Sequence, residues 1–466
     1  MPSITRSRNQ AIRQVKAHHR TGNIVKLVQD ACPSPNPSDA ILTPALSSNL
    51  ADPSPAKDST ADDPPAGPDE PPQYTIDMSL APRERYKAMA EDLKDEMTGL
   101  VHLFDDVVGG IVTFVPLWLL HFFCKLFLRS VRDAEEMEEL RGIAEVTGLQ
   151  VYLLVTLNVL LDVLLGCSSG GARVVDPSRS AKSKMVHFRT LDWGMTELRR
   201  VVVRLDFIKA KGQTPYASSI TYAGFVGVLT GVRKDLSLSL NFRRTHNDSH
   251  KKTSNLLYAL HQVLVLLGWR PSIASVLRRF LLNDEKENNY DSLKTYILTR
   301  ECRSTACYLT LCNGSEVTVL EKDRITALAR SSKVFENVTN HDESFEGDEA
   351  TLTAESQEST GISGMKMLLD ESVERRACMK DNYSALLEEK RTKKRKGQVT
   401  VEDMIELVQR YPCLNECTHY ALIMDPQAKQ DRIVWCRRWT EPIEGPDQGD
   451  EDVDVEEIAM EQVKVL

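Results

Sequence analysis

The feature that most constrains the fold of this chain is an apolar run that ends at a cysteine and gives way to strand-like segments. The run LNVLLDVLLG closes at Gly166, and Cys167 opens the segment CSSGGARVV. The next segment, KMVHFRTLDWG, alternates as a β-strand does. If it pairs back on CSSGGARVV, it carries Arg189 and Asp192 beside the cysteine. The pattern therefore predicts a core helix before Cys167 and two neighbouring strands after it.

This layout is typical of an N-terminal nucleophile hydrolase, which cuts itself before a Cys, Ser or Thr so that one residue supplies both the nucleophile and, through its new α-amine, the base. The cut bond is here expected to be Gly166–Cys167. A thiol has a reference pKa of about 8.5 and an α-amine of about 7.7 to 8.0, so the two exchange a proton without a histidine. We expect Arg189 to favour the thiolate and Asp192 to orient the amine. The alternative is a buried cysteine beside an ordinary ion pair.

Seven segments spread along the chain form a joint pattern that is more specific than any single motif. They are PPQYTIDMSLAPRERY (71–86), MEELRGIAEVTGLQVYLLVTLNVLLDVLLGC (137–167), FRTLDWG (188–194), YAGFVGVLTG (222–231), LSLNFR (238–243), VTNHD (338–342) and VERRACM (373–379). In this order they resemble the family of acid ceramidase and N-acylethanolamine-hydrolysing acid amidase, of the choloylglycine hydrolase-like superfamily, over residues 70–440. The resemblance implies an α+β fold, the αββα sandwich of N-terminal nucleophile hydrolases, preceded by a helical segment.

The same resemblance implies roles for individual residues. Cys167 corresponds to the nucleophile, and Arg189 and Asp192 to the arginine and aspartate that assist it. Asn340, in VTNHD, matches an asparagine whose side-chain amide helps to hold the oxyanion of the tetrahedral intermediate. Arg375, in VERR, matches a second active-site arginine. Each of the last two residues has an alternative interpretation. For Asn340 it is an ordinary turn position, because asparagine is also favoured in turns. For Arg375 it is a solvated basic helix face, the usual setting of an arginine pair on a helix.

One position departs from the family pattern. Acid ceramidase has LNERF where this chain has LNFRR, so Phe242 replaces a glutamate of the family's active-site network. Asn241 is retained, and LNF is closer to bile-salt hydrolases and penicillin V acylases, in which that asparagine lies at the oxyanion site. We therefore expect Asn241 and Phe242 to contact the substrate or its oxyanion, and the departure leaves substrate preference open.

The function expected from the resemblance is hydrolysis of the amide bond of a fatty-acylated amine by a self-processing amidase, with ceramide as the first candidate. Alternatives are an N-acylethanolamine amidase or an acyltransferase of the same superfamily, and, in another class, an uncleaved lipid-binding or scaffold relative. The two fragments, α before the cut and β after it, are expected to stay associated. No cofactor or metal is expected, because the spacing of the ten cysteines fits no strong zinc signature.

Composition divides the chain into four regions. Residues 1–73 are basic and then proline-rich, a composition that cannot bury enough apolar surface to order itself. Residues 74–166 are expected to be the helical α-subunit or propeptide region. Residues 167–440 are expected to be the catalytic β-subunit, with an acidic, serine-rich surface insert at 342–361. Residues 441–466 form an acidic tail.

The compartment stays open at this stage. The first thirty residues are basic and have no apolar core of a secretory signal, which leaves a cytoplasmic protein as one alternative. The family resemblance implies instead a lysosomal or secreted enzyme. Glycosylation triplets occur at Asn247, Asn313, Asn337 and Asn382, and export would also permit a disulfide among Cys378, Cys413, Cys417 and Cys436.

Two apolar stretches raise the question of membrane contact. Residues 107–124 carry no charge but are interrupted by glycine and proline, and residues 149–166 include Asn158 and Asp162. Both are expected to be core helices rather than membrane spans, with a peripheral membrane contact through 107–124 as an alternative. The basic run 390–396 is interpreted as a solvated helix end, and the net charge of −9 argues against nucleic acid as a partner.

Overall fold

The computed structural model describes nine stretches of the chain within a compact unit that spans residues 65–466. They are residues 69–101, 117–160, 166–175, 183–243, 246, 252–285, 287–346, 365–392 and 398–443. The predicted N-terminal tail (1–68), most of the acidic insert (347–361), the first part of the uncharged apolar stretch (107–116), part of the basic run (393–396) and most of the acidic C-terminal tail (444–466) lie outside the described residues.

The described residues form ten α-helices and thirteen β-strands, numbered here in chain order. The helices are α1 Lys87–Asp92, α2 Lys94–Gly99, α3 Leu117–Phe127, α4 Ala134–Thr147, α5 Val151–Leu160, α6 Lys252–Leu266, α7 Ile273–Leu282, α8 Tyr290–Leu298, α9 Met365–Thr392 and α10 Val401–Val408. The strands are β1 Gln73–Asp77, β2 Gly166–Val175, β3 Ser183–Asp192, β4 Val202–Ile208, β5 Ala217–Tyr222, β6 Thr230–Arg233, β7 Leu236–Phe242, β8 Cys307–Cys312, β9 Val317–Lys322, β10 Ala327–Ser332, β11 Phe335–Val338, β12 Thr418–Met424 and β13 Ile433–Arg438.

The strands build two sheets that pack face to face. One has eight strands in the order β1-β4-β5-β6-β7-β8-β9-β10, and the other has five in the order β11-β2-β3-β12-β13. Buried polar side chains join them, because Ser169 of β2 hydrogen-bonds Thr310 of β8 at 2.8 Å and His187 of β3 contacts Ser239 of β7 at 2.9 Å. Polar groups buried between sheets are tolerated when they are paired in this way.

Helices cover the outer faces of both sheets. Helices α9 and α10 pack on the five-stranded sheet, where Met379, Tyr383 and Met404 share a buried cluster with Val186 and Phe188. Helices α7 and α8 cover the eight-stranded sheet. The αββα arrangement expected from the resemblance is therefore confirmed.

The region before Cys167 contains a strand in addition to the predicted helices. Strand β1 adds to the edge of the eight-stranded sheet and runs parallel to β4, with Gln73 opposite Arg204 and Asp77 opposite Ile208. Every other strand pair in the two sheets is antiparallel. This first segment is thus part of the same sheet as strands that follow Cys167.

Buried contacts also tie the helices of this region to the rest of the domain. Glu139 of α4 accepts hydrogen bonds from Arg85 and from Arg278 of α7. All three charged side chains are buried. Asn158 of α5 bonds the turn after β5, donating to the Gly224 carbonyl at 2.8 Å and accepting from Val226 at 2.8 Å. Asn158, which in the sequence argued against a membrane span, therefore joins α5 to the turn after β5 through buried hydrogen bonds.

Two strands were not predicted from the sequence. They are β10 and β11, and β11 leads directly to Asn340. Helix α7 begins after the N-cap residue Ser272, whose hydroxyl accepts from the Ser275 amide. No helix among the described residues combines the length and the apolar character needed to cross a bilayer.

The structure also bears on the possible disulfide and on the glycosylation triplets. No pair among the nine described cysteines forms a disulfide. Asn337 is buried in β11 and donates its amide to the Arg376 carbonyl at 3.0 Å, so it is not accessible to a glycosyltransferase in the folded chain. Asn247 lies outside the described residues.

Candidate active site

The pairing of β2 with β3 brings Cys167 and Arg189 together as the alternation predicts. In this antiparallel register Gly166 lies opposite Asp192 and Cys167 opposite Leu191. Arg189 lies two residues before Leu191 on β3, and its guanidinium reaches back to the cysteine, with 3.1 Å between Nη2 and Sγ. Arg189 is itself buried, so its charge acts on the sulfur with little screening by solvent.

The sulfur of Cys167 is buried, and its pKa reflects opposing effects. Removal from water raises the pKa of the thiol to about 11, although the Arg189 charge and the backbone N–H of Asp192 act in the other direction. Desolvation disfavours the charged form of any acid, and a nearby cation favours it. In the uncut chain the thiol is therefore protonated at neutral pH, and its activation requires a base.

The nitrogen of Cys167 faces Asn340. Its N–H donates to the side-chain Oδ1 of Asn340 at 2.8 Å, and Arg375 donates to the same oxygen at 3.1 Å. The Nδ2 of Asn340 donates to the Phe242 carbonyl at 2.9 Å. In this structure Asn340 is thus an acceptor for the Cys167 backbone nitrogen, whereas the resemblance implied a donor to an oxyanion.

Arg375 lies in the site and not on a solvated helix face. Besides Asn340, its guanidinium donates to the Asp192 carboxylate and to the Ser168 hydroxyl, both at 3.0 Å. Asp192 also accepts from Thr418 of β12 at 2.8 Å. Burial raises the pKa of Asp192, and the Arg375 charge and the Thr418 hydroxyl act against that rise.

Asn241 and Phe242 hold the neighbouring loop. The Nδ2 of Asn241 donates to the backbone carbonyls of Val338 and Thr339, and its Oδ1 accepts from Arg189 at 3.2 Å. Phe242 accepts a hydrogen bond from Asn340 through its backbone carbonyl. Because that bond needs no particular side chain, the replacement of the family's glutamate by phenylalanine leaves it intact.

Gly166 is closely packed at the bond before Cys167. A Cβ added at this position would lie 3.1 Å from the Asp192 carbonyl oxygen and 3.4 Å from its Cβ. Glycine therefore suits both the strand pairing and access to the carbonyl of Gly166.

Residues that the sequence did not single out complete the arrangement. Ser372 of α9 is buried and accepts from the Asn340 backbone N–H at 2.8 Å. It lies three residues before Arg375, so the two share a helix face, a spacing that is visible in the sequence once Arg375 is assigned. Ser168 and Thr418 carry no comparable signal. Among the described residues no group of three or more His, Cys, Asp or Glu side chains is arranged to hold a metal ion.

Comparisons with known proteins report similarity to acid ceramidases and acid amidases. The family model described as the beta subunit of N-acylethanolamine-hydrolyzing acid amidase matches residues 69–130, a segment that precedes Cys167. The N-acylethanolamine-hydrolyzing acid amidase of Caenorhabditis elegans is 30% identical over 189 residues, which cover 38% of this chain and 50% of that protein. The acid ceramidase of Homo sapiens is 25% identical over 308 residues, covering 60% of this chain and 72% of that protein. Over these parts of its length the chain is similar to acid ceramidase and to N-acylethanolamine-hydrolysing acid amidase.

The extent of the match to the acid ceramidase family is limited. The chain spans about half the length of the first curated relatives it matches, including the acid ceramidase of Mus musculus, which is 30% identical over 209 residues. A solved structure of the Caenorhabditis elegans N-acylethanolamine-hydrolyzing acid amidase ortholog aligns with a TM-score of 0.39 at 22% identity, covering 56% of this chain and 94% of that one.

Proposed function

We propose that this chain is a self-processing amidase that hydrolyses the amide bond of fatty-acylated amines, with ceramide as the first candidate substrate. The observation that carries the proposal is the convergence on one residue: Arg189 donates to the Cys167 sulfur while Asn340 accepts from its nitrogen. A nucleophile that supplies its own base needs both of its ends to be held.

Self-processing begins when the Cys167 sulfur attacks the Gly166 carbonyl carbon. The thiol proton moves to the nitrogen as the peptide bond breaks, which leaves Gly166 attached to the sulfur as a thioester and a free α-amine on Cys167. Water then hydrolyses the thioester and releases the Gly166 carboxylate. Asp192, whose pKa is raised by burial, is the carboxylate opposite Gly166 in the strand pair and is proposed to accept the thiol proton first.

Amide hydrolysis then uses the new N-terminus. The α-amine takes the thiol proton, and the sulfur attacks the acyl carbonyl of the substrate. The ammonium returns its proton to the departing amine, which leaves the fatty acid on sulfur as a thioester. A water molecule deprotonated by the same α-amine releases the fatty acid. Asn340 and Arg375 orient the amine, and Asn241 lies beside Arg189 where the oxyanion is expected to form.

The decisive experiment is the intact mass of the purified full-length protein before and after incubation at acidic and neutral pH. The expected result is two fragments that meet at Gly166–Cys167 in the wild type and a whole, inactive chain for Cys167→Ala. Cys312→Ala is the matched control, because Cys312 is an equally buried cysteine on β8 with a raised pKa, and this variant is expected to be cut normally. Cutting of Cys167→Ala would contradict self-processing.

Substrate choice within the proposal is between two lipid amides named in the relatives. Release of fatty acid from ceramide and from an N-acylethanolamine of the same acyl length is to be measured in parallel on the cut protein. A higher kcat/KM for ceramide supports the first candidate, and the reverse supports the amidase alternative. Cut protein that releases no fatty acid from either would contradict lipid amide hydrolysis.

A lipid surface is the proposed partner of helices α3 and α6. Both pack against α5. Phe122 and Phe127 of α3 and Leu256 of α6 are exposed, as is Trp269 just after α6. The sequence has no acidic residue from 107 to 132 or from 249 to 283, although the chain as a whole carries a net charge of −9. Exposed apolar side chains on segments whose own charges are basic suit an anionic bilayer.

A further inference from the structure

The loop that carries Asn340 is held by consecutive residues at the end of β7. Asn241 donates its side-chain amide to the Thr339 carbonyl at 3.2 Å, and the Phe242 carbonyl accepts from Asn340 at 2.9 Å. On the other side, the hydroxyl of Ser372 accepts the Asn340 backbone N–H. Asn340 is therefore fixed from two directions.

The third consecutive residue, Arg243, makes the strongest of these links. Its Nε and Nη2 donate to the two oxygens of Asp342 at 2.7 and 2.6 Å, and the side chains are only 3% and 8% exposed. Tyr308 also donates its hydroxyl to Asp342 at 2.7 Å. A bidentate arginine–carboxylate pair fixes geometry as well as charge, so it sets the relative position of the two segments.

We propose that Arg243 and Asp342 are a positioning pair that orients Asn340 toward the nitrogen of Cys167. The inference rests on the proposed function and adds two residues to the machinery of that site. Neither residue is bonded to Cys167, Arg189 or Asp192 in the structure, so their effect passes through Asn340. Arg243 directly follows Phe242, and Asp342 lies two residues after Asn340.

The links between β7 and this loop lie on both sides of Asn340. Before it, the Asn241 side chain donates to the Val338 and Thr339 carbonyls at 3.3 and 3.2 Å, and Asn340 itself donates to the Phe242 carbonyl. After it, the ion pair adds a shorter, charged contact through Asp342, so the loop is held beyond Asn340 as well as before it. Rotation of the loop would move the Asn340 oxygen away from the Cys167 nitrogen. The proposed α-amine needs that oxygen as its hydrogen-bond acceptor.

The test uses Arg243→Lys and Asp342→Asn in the full-length protein. Lysine keeps the positive charge but loses the two-pronged contact. We expect each variant to slow the cut at Gly166–Cys167 at least tenfold, and to lower the kcat of the cut protein to a similar extent with KM unchanged. Arg204→Lys is the control, because Arg204 makes a comparable two-pronged contact with Asp431 far along the sheet, and this variant is expected to match the wild type.

A double-mutant comparison separates positioning from general weakening of the fold. In an Asn340→Ala background, Arg243→Lys is expected to cause no further loss of cutting rate, because the side chain it orients is absent. An equal loss in both backgrounds would overturn the inference, as would wild-type rates for Arg243→Lys.

A structural measurement keeps the inference testable even if the wild-type chain is neither cut nor active, a result that would contradict only the proposed function. A crystal structure of Arg243→Lys in the uncut Cys167→Ala background is expected to show Asn340 Oδ1 outside hydrogen-bonding distance of the residue 167 nitrogen. An unmoved Asn340 in that structure would also overturn the inference.

Discussion

The side chain of Asn340 has a donor end and an acceptor end, and both are bonded in this structure. The amide nitrogen, which the resemblance assigns to the oxyanion, donates to the Phe242 carbonyl, while the oxygen accepts from the Cys167 N–H. The oxyanion role stays a prediction. An aspartate retains acceptor oxygens and loses the donor. The two roles can therefore be separated by substitution.

We expect Asn340→Asp to be cut faster than Asn340→Ala, because the aspartate still accepts from the Cys167 nitrogen. If the side chain also becomes an oxyanion donor during turnover, both variants should lower kcat by about 10² to 10³, the usual loss for one such donor. The measurements are the rate of fragment formation by mass and kcat on a lipid amide. Equal cutting rates for the two variants would contradict the acceptor role.

Several site residues were predictable from the sequence and others were not. Cys167 and Arg189 lie on paired strands whose alternation is visible. Arg375 was predicted only through the resemblance, because its carboxylate partner Asp192 is 183 residues away and no local pattern links a helix residue to a distant strand. The orientation of Asn340 depends on contacts from both β7 and α9, and this cannot be deduced from its turn-like surroundings.

At the scale of elements, strand β2 is closely packed against its neighbours. A Cβ at Gly170 would lie 2.3 Å from the Glu336 carbonyl oxygen of β11 and 2.5 Å from the Phe188 ring. The first contact is with backbone, which cannot move aside as a flexible side chain does. Gly170 in CSSGGARVV is thus required by the pairing with β11, whereas a Cβ at Gly171 would meet the Val317 side chain of β9 at 2.7 Å.

We expect Gly170→Ala to destabilise the fold by about 1 to 3 kcal/mol, the usual cost of an overpacked interior position, and to slow cutting because β11 leads into Asn340. Urea unfolding of the uncut Cys167→Ala protein measures the first effect. Gly212→Ala is a poor comparison because Gly212 has a positive φ, so Gly99→Ala, where an added Cβ meets nothing within 4 Å, is the control. Equal stability of the two variants would contradict the packing argument.

Helices α4 and α7 meet through a buried carboxylate that makes stability depend on pH. Burial raises the pKa of Glu136 to about 7, while Arg278 and the Ser275 hydroxyl partly oppose the rise and Asp133 and Glu139 add to it. The folded state therefore prefers the protonated form. The contribution of Glu136 is neutral below its unfolded pKa of 4.5 and becomes increasingly unfavourable as pH rises to about 7.

Glu136→Gln is expected to remove this pH dependence and to raise the free energy of unfolding above pH 7 by about 3 kcal/mol, since one pKa unit corresponds to about 1.4 kcal/mol. Below pH 4.5 it should have little effect. Urea unfolding of Glu136→Gln and wild type at pH 5 and pH 8, both in the Cys167→Ala background, measures the difference. A larger gain at pH 5 than at pH 8 would contradict the assignment.

The helices and strands after Cys167 were mostly predictable because their periodicity is strong. Strand β1 was not, because a five-residue parallel edge strand has no turn partner in its own neighbourhood and its register is set by β4. Strands β10 and β11 were missed for a similar reason, as β10 is partly exposed and polar. The periodicity of α6 does not show which face is buried, and several of its apolar residues point into solvent.

At the scale of the whole molecule, the exposed apolar side chains on and next to α3 and α6 predict binding to anionic membranes. We expect the full-length protein to sediment with phosphatidylglycerol vesicles more than with phosphatidylcholine vesicles, and Trp269→Ser to weaken this binding severalfold. Leu328→Ser is the control, because Leu328 is a comparably exposed apolar side chain on β10. Equal binding of both variants would contradict a lipid contact at these helices.

The links across the Cys167 site join parts of the chain that are far apart in sequence. Its nitrogen bonds a residue 173 positions later, and Ser168 bonds one 207 positions later. If the cut occurs as proposed, the reacting groups meet only after both sheets and α9 have assembled. The cut would then record completed folding, so that the ratio of cut to whole chains in a cell would report how much of the protein had reached its native state, and destabilising variants would accumulate as precursor.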